Sequence, residues 1–277
     1  YAVLHRKLDL VLPDNYRFEY QLRGETPPQN LEFKLLDDSG ENVWWCNRVN
    51  FDYPKQWTID RIRKRQIGFA WGPKPEATPS HVAALEFAIT AGSGGEGTVW
   101  FDELTLVPLP VPVEPPMPVA SATSSEQGHP PSLALDRLAK TQWASAPSVA
   151  APALTLDLGT SREFGGLVLE WGVGLGARDY VVELDDGDGN WRIARRVRGS
   201  DGGRDWLDMP ESEARRVRIR TQARAAKTMA LVSVELKPLE WGATTERFMT
   251  AVAHESPRGH YPRGFLGEQS YWTVVGV

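Results

Sequence analysis

Two carboxylates near the C-terminus, Glu255 and Glu268, are the residues whose type could carry a hydrolysis. A glycosidic bond is cleaved by such a pair, one acting as proton donor and the other as base or nucleophile, at a fixed separation. Around the first lies His254-Glu255-Ser256-Pro257-Arg258-Gly259-His260, which offers His254, Glu255 and His260 to a zinc ion. The zinc reading fails. The spacing is not His-Glu-x-x-His, and Pro257 interrupts the helix that would carry both imidazoles on one face. The run Gly172-Val173-Gly174-Leu175-Gly176 has the look of a nucleotide-binding loop, but no helix follows it and the fingerprint is incomplete. No nucleophile with a base and an orienting group is visible. The single cysteine, Cys46, leaves no internal disulfide.

Binding chemistry is better represented than catalysis. The chain holds 11 tryptophans, enough to anchor a core and leave some for ligand contact. Trp44 and Trp45 are adjacent, so on a strand they face opposite sides. One of them is therefore a candidate platform for a ligand or a neighbouring domain. The basic run Arg61 to Gln66 could grip an acidic polysaccharide, although positive charge also guards edge strands. The formal net charge is −5, with arginine and lysine scattered among the acids. That distribution does not build the basic face a nucleic acid requires. No stretch is long and apolar enough to span a membrane as a helix.

The elements that must position these residues are strands. Period-two alternation recurs: Phe18, Tyr20 and Leu22; Leu31, Phe33 and Leu35; Leu85, Phe87 and Ile89; Leu154, Leu156 and Leu158; Leu167, Leu169 and Trp171. Tyr180, Val182 and Leu184 lead into Asp185-Asp186-Gly187-Asp188-Gly189-Asn190, a hairpin turn, with Trp191 and Ile193 on the return. Val217, Ile219, Val232, Val234 and Leu236 complete the set. The pattern predicts an all-β protein of two tandem β-sandwiches. The stretch Pro108 to Pro118 is proline-rich and predicts an extended spacer. It sets a first domain at 1–108, a linker at 109–118, a second domain at 119–239 and a tail at 240–277. Within the tail, Thr244 or Thr245 caps a short helix with Phe248 and Val252 on its apolar side. The closing Tyr271 to Val277 is β-branched and aromatic and predicts a strand that packs on one of the sandwiches.

The second domain resembles a known family. Ala120 to Ser145 carries Ala134, Asp136, Thr141 and Trp143 at the spacing that opens a discoidin, or coagulation factor 5/8 type C, domain. Leu167 to Trp191 is similar to that family's central hairpin, Arg215 to Arg220 to the strand after it, and Val232 to Leu239 to its closing strand. Many bacterial members are carbohydrate-binding modules of the galactose-binding, jelly-roll type. The first domain resembles a carbohydrate-module jelly roll through Thr98 to Leu109, which closes on Phe-Asp-Glu and an apolar strand.

The resemblance implies sites. A structural calcium would take oxygens from Asp136, Thr141 and Glu235, and in the first domain from Asp102. The sequence departs from the pattern after Asp136, where Arg137 and Leu138 replace glycine and a polar residue, so a metal-free packed turn is the competing reading. Sugar-contacting loops would use His129, Arg178 and Trp206, while Trp143, Trp171 and Trp191 belong to buried strands. Tyr261 to Trp272 is similar to the opening of a larger downstream domain in bacterial polysaccharide-processing proteins. The resemblance thus implies a non-catalytic, glycan-binding front part of such a protein in a periplasmic, secreted or cell-surface setting. A hydrolase whose cleft includes the tail, and a cell-surface adhesion module, stay open beside it.

Overall fold

The computed structural model describes residues 1–92, 94–110, 114–224 and 226–255. The chain divides into two compact units, residues 1–113 and 114–277.

The first unit is an all-antiparallel sandwich. Its strands are β1 (Ala2–Val11), β2 (Tyr16–Glu25), β3 (Gln29–Leu36), β4 (Val43–Phe51), β5 (Thr58–Arg63), β6 (Gly68–Trp71), β7 (His81–Thr90) and β8 (Thr98–Pro108). One sheet runs β1-β7-β3-β4-β6 and the other β5-β2-β8. The alternation read from sequence is what holds them together. Tyr16, Phe18, Tyr20 and Leu22 of β2 and Leu31, Phe33 and Leu35 of β3 are almost wholly buried in one cluster. Phe18 and Phe33 meet at 4.9 Å between ring centroids, as do Tyr20 and Phe87. Each such side chain contributes roughly 1.5–3 kcal/mol of burial.

Among the described residues the second unit has seven strands: β9 (Val119–Ala122), β10 (Trp143–Ala144), β11 (Ala153–Trp171), β12 (Ala177–Asp185), β13 (Arg192–Val197), β14 (Arg204–Arg224) and β15 (Ala230–Lys237). The order is β10-β15-β11-β14-β12-β13, with β9 also on β11. β11 and β14 are long because each serves both layers. The first half of β11 pairs with β9 and with Arg216–Arg220 of β14; the second half pairs with β15 and with Arg204–Asp208. The register breaks between Asp157 and Arg162, where Gly159 has φ +77°. A left-handed residue there lets the strand turn the corner. The core between the layers includes Trp143, Leu154, Leu167, Leu169, Trp171, Tyr180 and Val217.

The hairpin of β12 and β13 forms as the sequence predicts. β12 differs in one respect: residues Tyr180 to Asp185 are all buried. The outward side chains Glu183 and Asp185 are covered by arginines of β14. Arg218 and Arg220 reach Glu183 at 2.7 and 2.6 Å, and Arg216 reaches Asp185 at 2.5 Å. Trp191 departs from its expected core position for the same reason. It is half-exposed and lies over the Arg218 guanidinium at 4.0 Å.

The C-terminal helix α1 (Thr245–Glu255) begins as predicted, with the Thr244 hydroxyl accepting from Arg247 N–H at 3.2 Å. Phe248 and Val252 are buried, forming a small cluster with Val168 and Trp206 on the outer side of the β11–β14 layer. The turn before it lies close over Gly165-Gly166: a Cβ on Gly166 would sit 2.3 Å from the Trp241 ring. The expected strand at 271–277 lies outside the described residues.

The proline-rich stretch is not one free spacer. Asn15 holds its start, accepting from Leu109 N–H at 2.9 Å and donating to the Pro110 carbonyl at 2.6 Å. Residues 114–118 belong to the second unit, where Pro116 packs over Gly159 so closely that a Cβ there would lie 2.5 Å away.

Candidate functional site

One end of the second sandwich gathers five connections: residues 123–130, Gln142, Gly172–Gly176, the turn 199–203 and the approach to β15. They are tied by backbone bonds. Trp171 N–H donates to Gly203 O at 2.9 Å, Gly172 N–H to Ala230 O at 3.0 Å, Ala230 N–H to Leu175 O at 2.9 Å and Ser200 N–H to Arg178 O at 2.8 Å. Two glycines are needed for closeness. Gly172 lies under the Gln142 side chain, and Gly176 under Gly202, with a virtual Cβ at 2.6 Å from each neighbour.

Beneath this end sits a buried carboxylate. Asp205 Oδ2 accepts from Trp171 Nε1 at 2.7 Å, Tyr180 OH at 2.7 Å and Ser200 Oγ at 2.8 Å. Burial pushes its carboxyl above the ordinary aspartate range, while the three donors pull the other way. Burial and the adjacent carboxylate push the Tyr180 phenol well above its usual range. No salt bridge reaches Asp205 among the described residues. Its role is to fix the end of β11, the start of β12 and the 199–203 turn relative to one another.

Two of the predicted contact residues belong to this end. Arg178 opens β12 with its side chain 67% exposed, and its nearest acid, Asp179, is 3.8 Å away. A guanidinium that open keeps its donors for a ligand. His129 is half-buried, its Nδ1 3.1 Å from the Gln142 carbonyl. Sequence reasoning missed Glu126, which accepts from Thr228 Oγ at 3.1 Å, and Gln142. Neither stands in a motif; Glu126 shares a turn with His129, and the fold brings Gln142 to it. Val173 is fully open at 99% exposure.

Trp206 must be withdrawn as a ligand contact. It is 6% exposed, packed under α1 on a different face, and its Nε1 is buried without a partner among the described residues. Its loop-like sequence context, with glycines and aspartates before it, hid that it begins a strand. In the first unit Trp44 is likewise corrected to core: it is 5% exposed and donates from Nε1 to the Ala77 carbonyl at 2.9 Å. Trp45 faces outward and meets Trp71 edge-on at 5.6 Å. The pair makes a corner rather than a flat platform.

Asp136 and Thr141 do meet: Thr141 Oγ lies 2.8 Å from Asp136 Oδ2 and 2.9 Å from the Leu138 carbonyl, and Leu138 N–H donates to Asp136 Oδ1 at 2.9 Å. Arg137 takes φ +61° at the position where the family's glycine is expected. Carboxylate, carbonyl and hydroxyl oxygens are the right donor kinds for a hard cation. Glu235 is diverted, its carboxylate 3.0 Å from Lys237 Nζ. Asp102 is an exposed strand-edge carboxylate that accepts from Glu103 N–H at 2.8 Å. Among the described residues no group of three acidic, histidine or cysteine side chains gathers for a metal.

Glu255, the described member of the candidate acid pair, acts as a clamp. Its Oε1 accepts from Lys237 Nζ at 3.1 Å and Trp241 Nε1 at 3.0 Å, fastening the last turn of α1 to β15. Glu268 lies outside the described residues. No helix among the described residues is long and apolar enough to cross a membrane.

Residues 119–236 match the family model of the F5/8 type C domain. No curated protein matches the chain. Among solved structures, chitosan-binding module 1 of a chitosanase/glucanase from a Paenibacillus species is 26% identical, covering 43% of this chain and 94% of that one at a TM-score of 0.41. The family 32 carbohydrate-binding module of Clostridium perfringens NanJ, in complex with galactose, is 18% identical over 43% of this chain and 93% of its own, with a TM-score of 0.40. A Ruminococcus gnavus fucosidase of family GH29 is 19% identical over 44% of this chain but 25% of its own length, with a TM-score of 0.41.

Proposed function

We propose that the second unit, whose residues 119–236 match the F5/8 type C model, binds oligosaccharide at the loop end and serves as the non-catalytic, glycan-recognising part of a larger polysaccharide-processing protein. The observation that carries this is the open Arg178 guanidinium at the start of β12, whose backbone carbonyl holds the 199–203 turn that Asp205 locks from below; His129 and Gln142 stand together at the same end. A sugar presents hydroxyls at its rim and C–H groups on its face. Arginine, histidine and amide side chains answer the first, and Val173 with Leu175 the second. A hydrolase reading would need Glu255 released from Lys237 and Trp241, which hold its carboxylate. Calcium at the Asp136 turn, and an exported setting, belong to the same proposal.

A glycan array with the whole chain tests it. Binding to a defined set of glycans that drops on Arg178→Ala supports the reading. A folded protein that binds no glycan at any tested concentration sinks it.

A further inference from the structure

A second recess runs along β15, and none of its lining residues belongs to the loop end. It has a volume of about 580 Å³ and lies between the strap 114–118, the turn Ala134–Ala139 and Val232–Leu236. One wall is apolar and open: Met117 is 72% exposed and Leu138 58%. The other is a strand edge. Among the described residues β10 pairs with β15 only at Ala230 and Leu231, and beyond that point β15 is paired on its β11 side alone. Every second residue of Val232–Leu236 therefore turns its backbone N–H and C=O away from β11, toward this edge.

The two arginines that line it are not the partners of its acids. Glu170 pairs with Arg204 at 2.7 Å, and Glu235 shares Lys237, at 3.0 Å, with Glu255. Arg137 and Arg162 form no salt bridge among the described residues. Arg162 is half-buried, reaches only the Pro116 carbonyl at 3.4 Å, and burial lowers its pKa with no acid to offset it. Two guanidiniums thus line the recess with no salt bridge among the described residues, and Glu114 is the remaining acid of the lining. A guanidinium stripped of water favours a carboxylate partner, which its forked donors match in two places.

We infer that this recess is a second binding site, for a carboxylate-bearing sugar unit of the uronic-acid type, gripped by Arg137 and Arg162 and steadied by the free edge of β15. The acidity follows from the two guanidiniums; the sugar class rests on the glycan-binding reading of this unit.

Calorimetry with the whole chain distinguishes the two. The probes are an oligogalacturonate, its methyl ester, a neutral glycan that the array identifies, and poly-glutamate. The acid form binds, the ester binds about tenfold more weakly or worse, and Arg137→Gln/Arg162→Gln removes the difference. Arg196→Gln/Arg198→Gln, which deletes two exposed charges from the β13 region, leaves it intact. Arg162→Lys, which keeps the charge at the strap, retains part of the affinity and guards against misfolding as the cause. Equal affinity for acid and ester, or loss on the Arg196/Arg198 variant instead, overturns the inference while leaving neutral-glycan binding to stand. Binding of poly-glutamate through Arg137 and Arg162 with no uronate binding overturns it in favour of an acidic peptide.

Discussion

The Tyr180 hydroxyl donates to Asp205 Oδ2 at 2.7 Å, deep under the loops that carry Arg178. Trp171 Nε1 shares the same oxygen. Replacing Asp205 with alanine leaves a buried indole N–H and a buried phenol without an acceptor, at a cost of about 3 kcal/mol. Asparagine keeps an acceptor and removes the charge. Because burial raises the Asp205 pKa in the folded state, the native protein holds this proton to higher pH than the unfolded chain does. Its contribution to stability is therefore full below the ordinary aspartate range and is lost as pH rises through the raised folded value. Chemical denaturation between pH 3 and 7 should show this fall in the wild type and a flatter profile in Asp205→Asn. An unchanged slope in the variant refutes the assignment.

Glu183 predicts the opposite slope. Burial opposes its ionisation, but hydrogen bonds from Arg220 and Arg218 prevail and hold its carboxyl below the usual glutamate range. Its stabilisation is present above the unfolded pKa and is lost as pH falls through the folded one. Glu183→Gln should cost about 2 kcal/mol at pH 7, with both guanidiniums left over a covered face, and much less at pH 3. Equal destabilisation at both pH values contradicts this account.

Arg178→Ala should weaken glycan binding about tenfold or more without shifting the melting temperature by more than ~2 °C, since the side chain is largely in solvent. His129→Ala should weaken binding less and cost more stability, because its imidazole also braces the Gln142 carbonyl. The comparison needs affinity and thermal melting on the same preparations. If the two variants behave alike in both, the loop end is scaffold rather than site.

What the sequence revealed and what it concealed have physical causes. Strands whose two faces see core and water announce themselves, so Phe18-Tyr20-Leu22 and the Leu154 to Leu158 alternation were readable. β12 was half legible, since salt bridges to Arg216, Arg218 and Arg220 bury Glu183 and Asp185 on the face that alternation assigns to water. Trp206 and Trp191 exchanged expected places for a related reason. α1 buries Trp206 from a region far along the chain, whereas arginines, not apolar side chains, cover the face that holds Trp191. Adjacent tryptophans revealed that one of Trp44 and Trp45 is outward, not which one. His129 and Arg178 could be singled out as polar residues in loops, but Glu126, Gln142 and the Asp205 anchor depend on contacts between residues too distant in sequence to be read from spacing.

The turn at Asp136 supplies the metal prediction. Calcium at millimolar concentration should raise the melting temperature of the second unit by several degrees, as expected when a ligand at about 100 times its dissociation constant adds about 2.7 kcal/mol to the folded state. Chelator should reverse the shift, and Asp136→Asn should abolish it. Magnesium should be a poor substitute, since it requires a tighter octahedron than a turn built from Asp136, Leu138 and Thr141 offers. Lys237→Gln separates the donors: it frees Glu235, now 3.0 Å from the ammonium, and should strengthen calcium binding if Glu235 completes the site. It also removes the tether from Lys237 to Glu255, so α1 should open faster in hydrogen exchange whatever the metal does. No calcium-dependent shift in wild type or in Lys237→Gln would establish the Asp136 turn as a closed, metal-free structure held by its own hydrogen bonds.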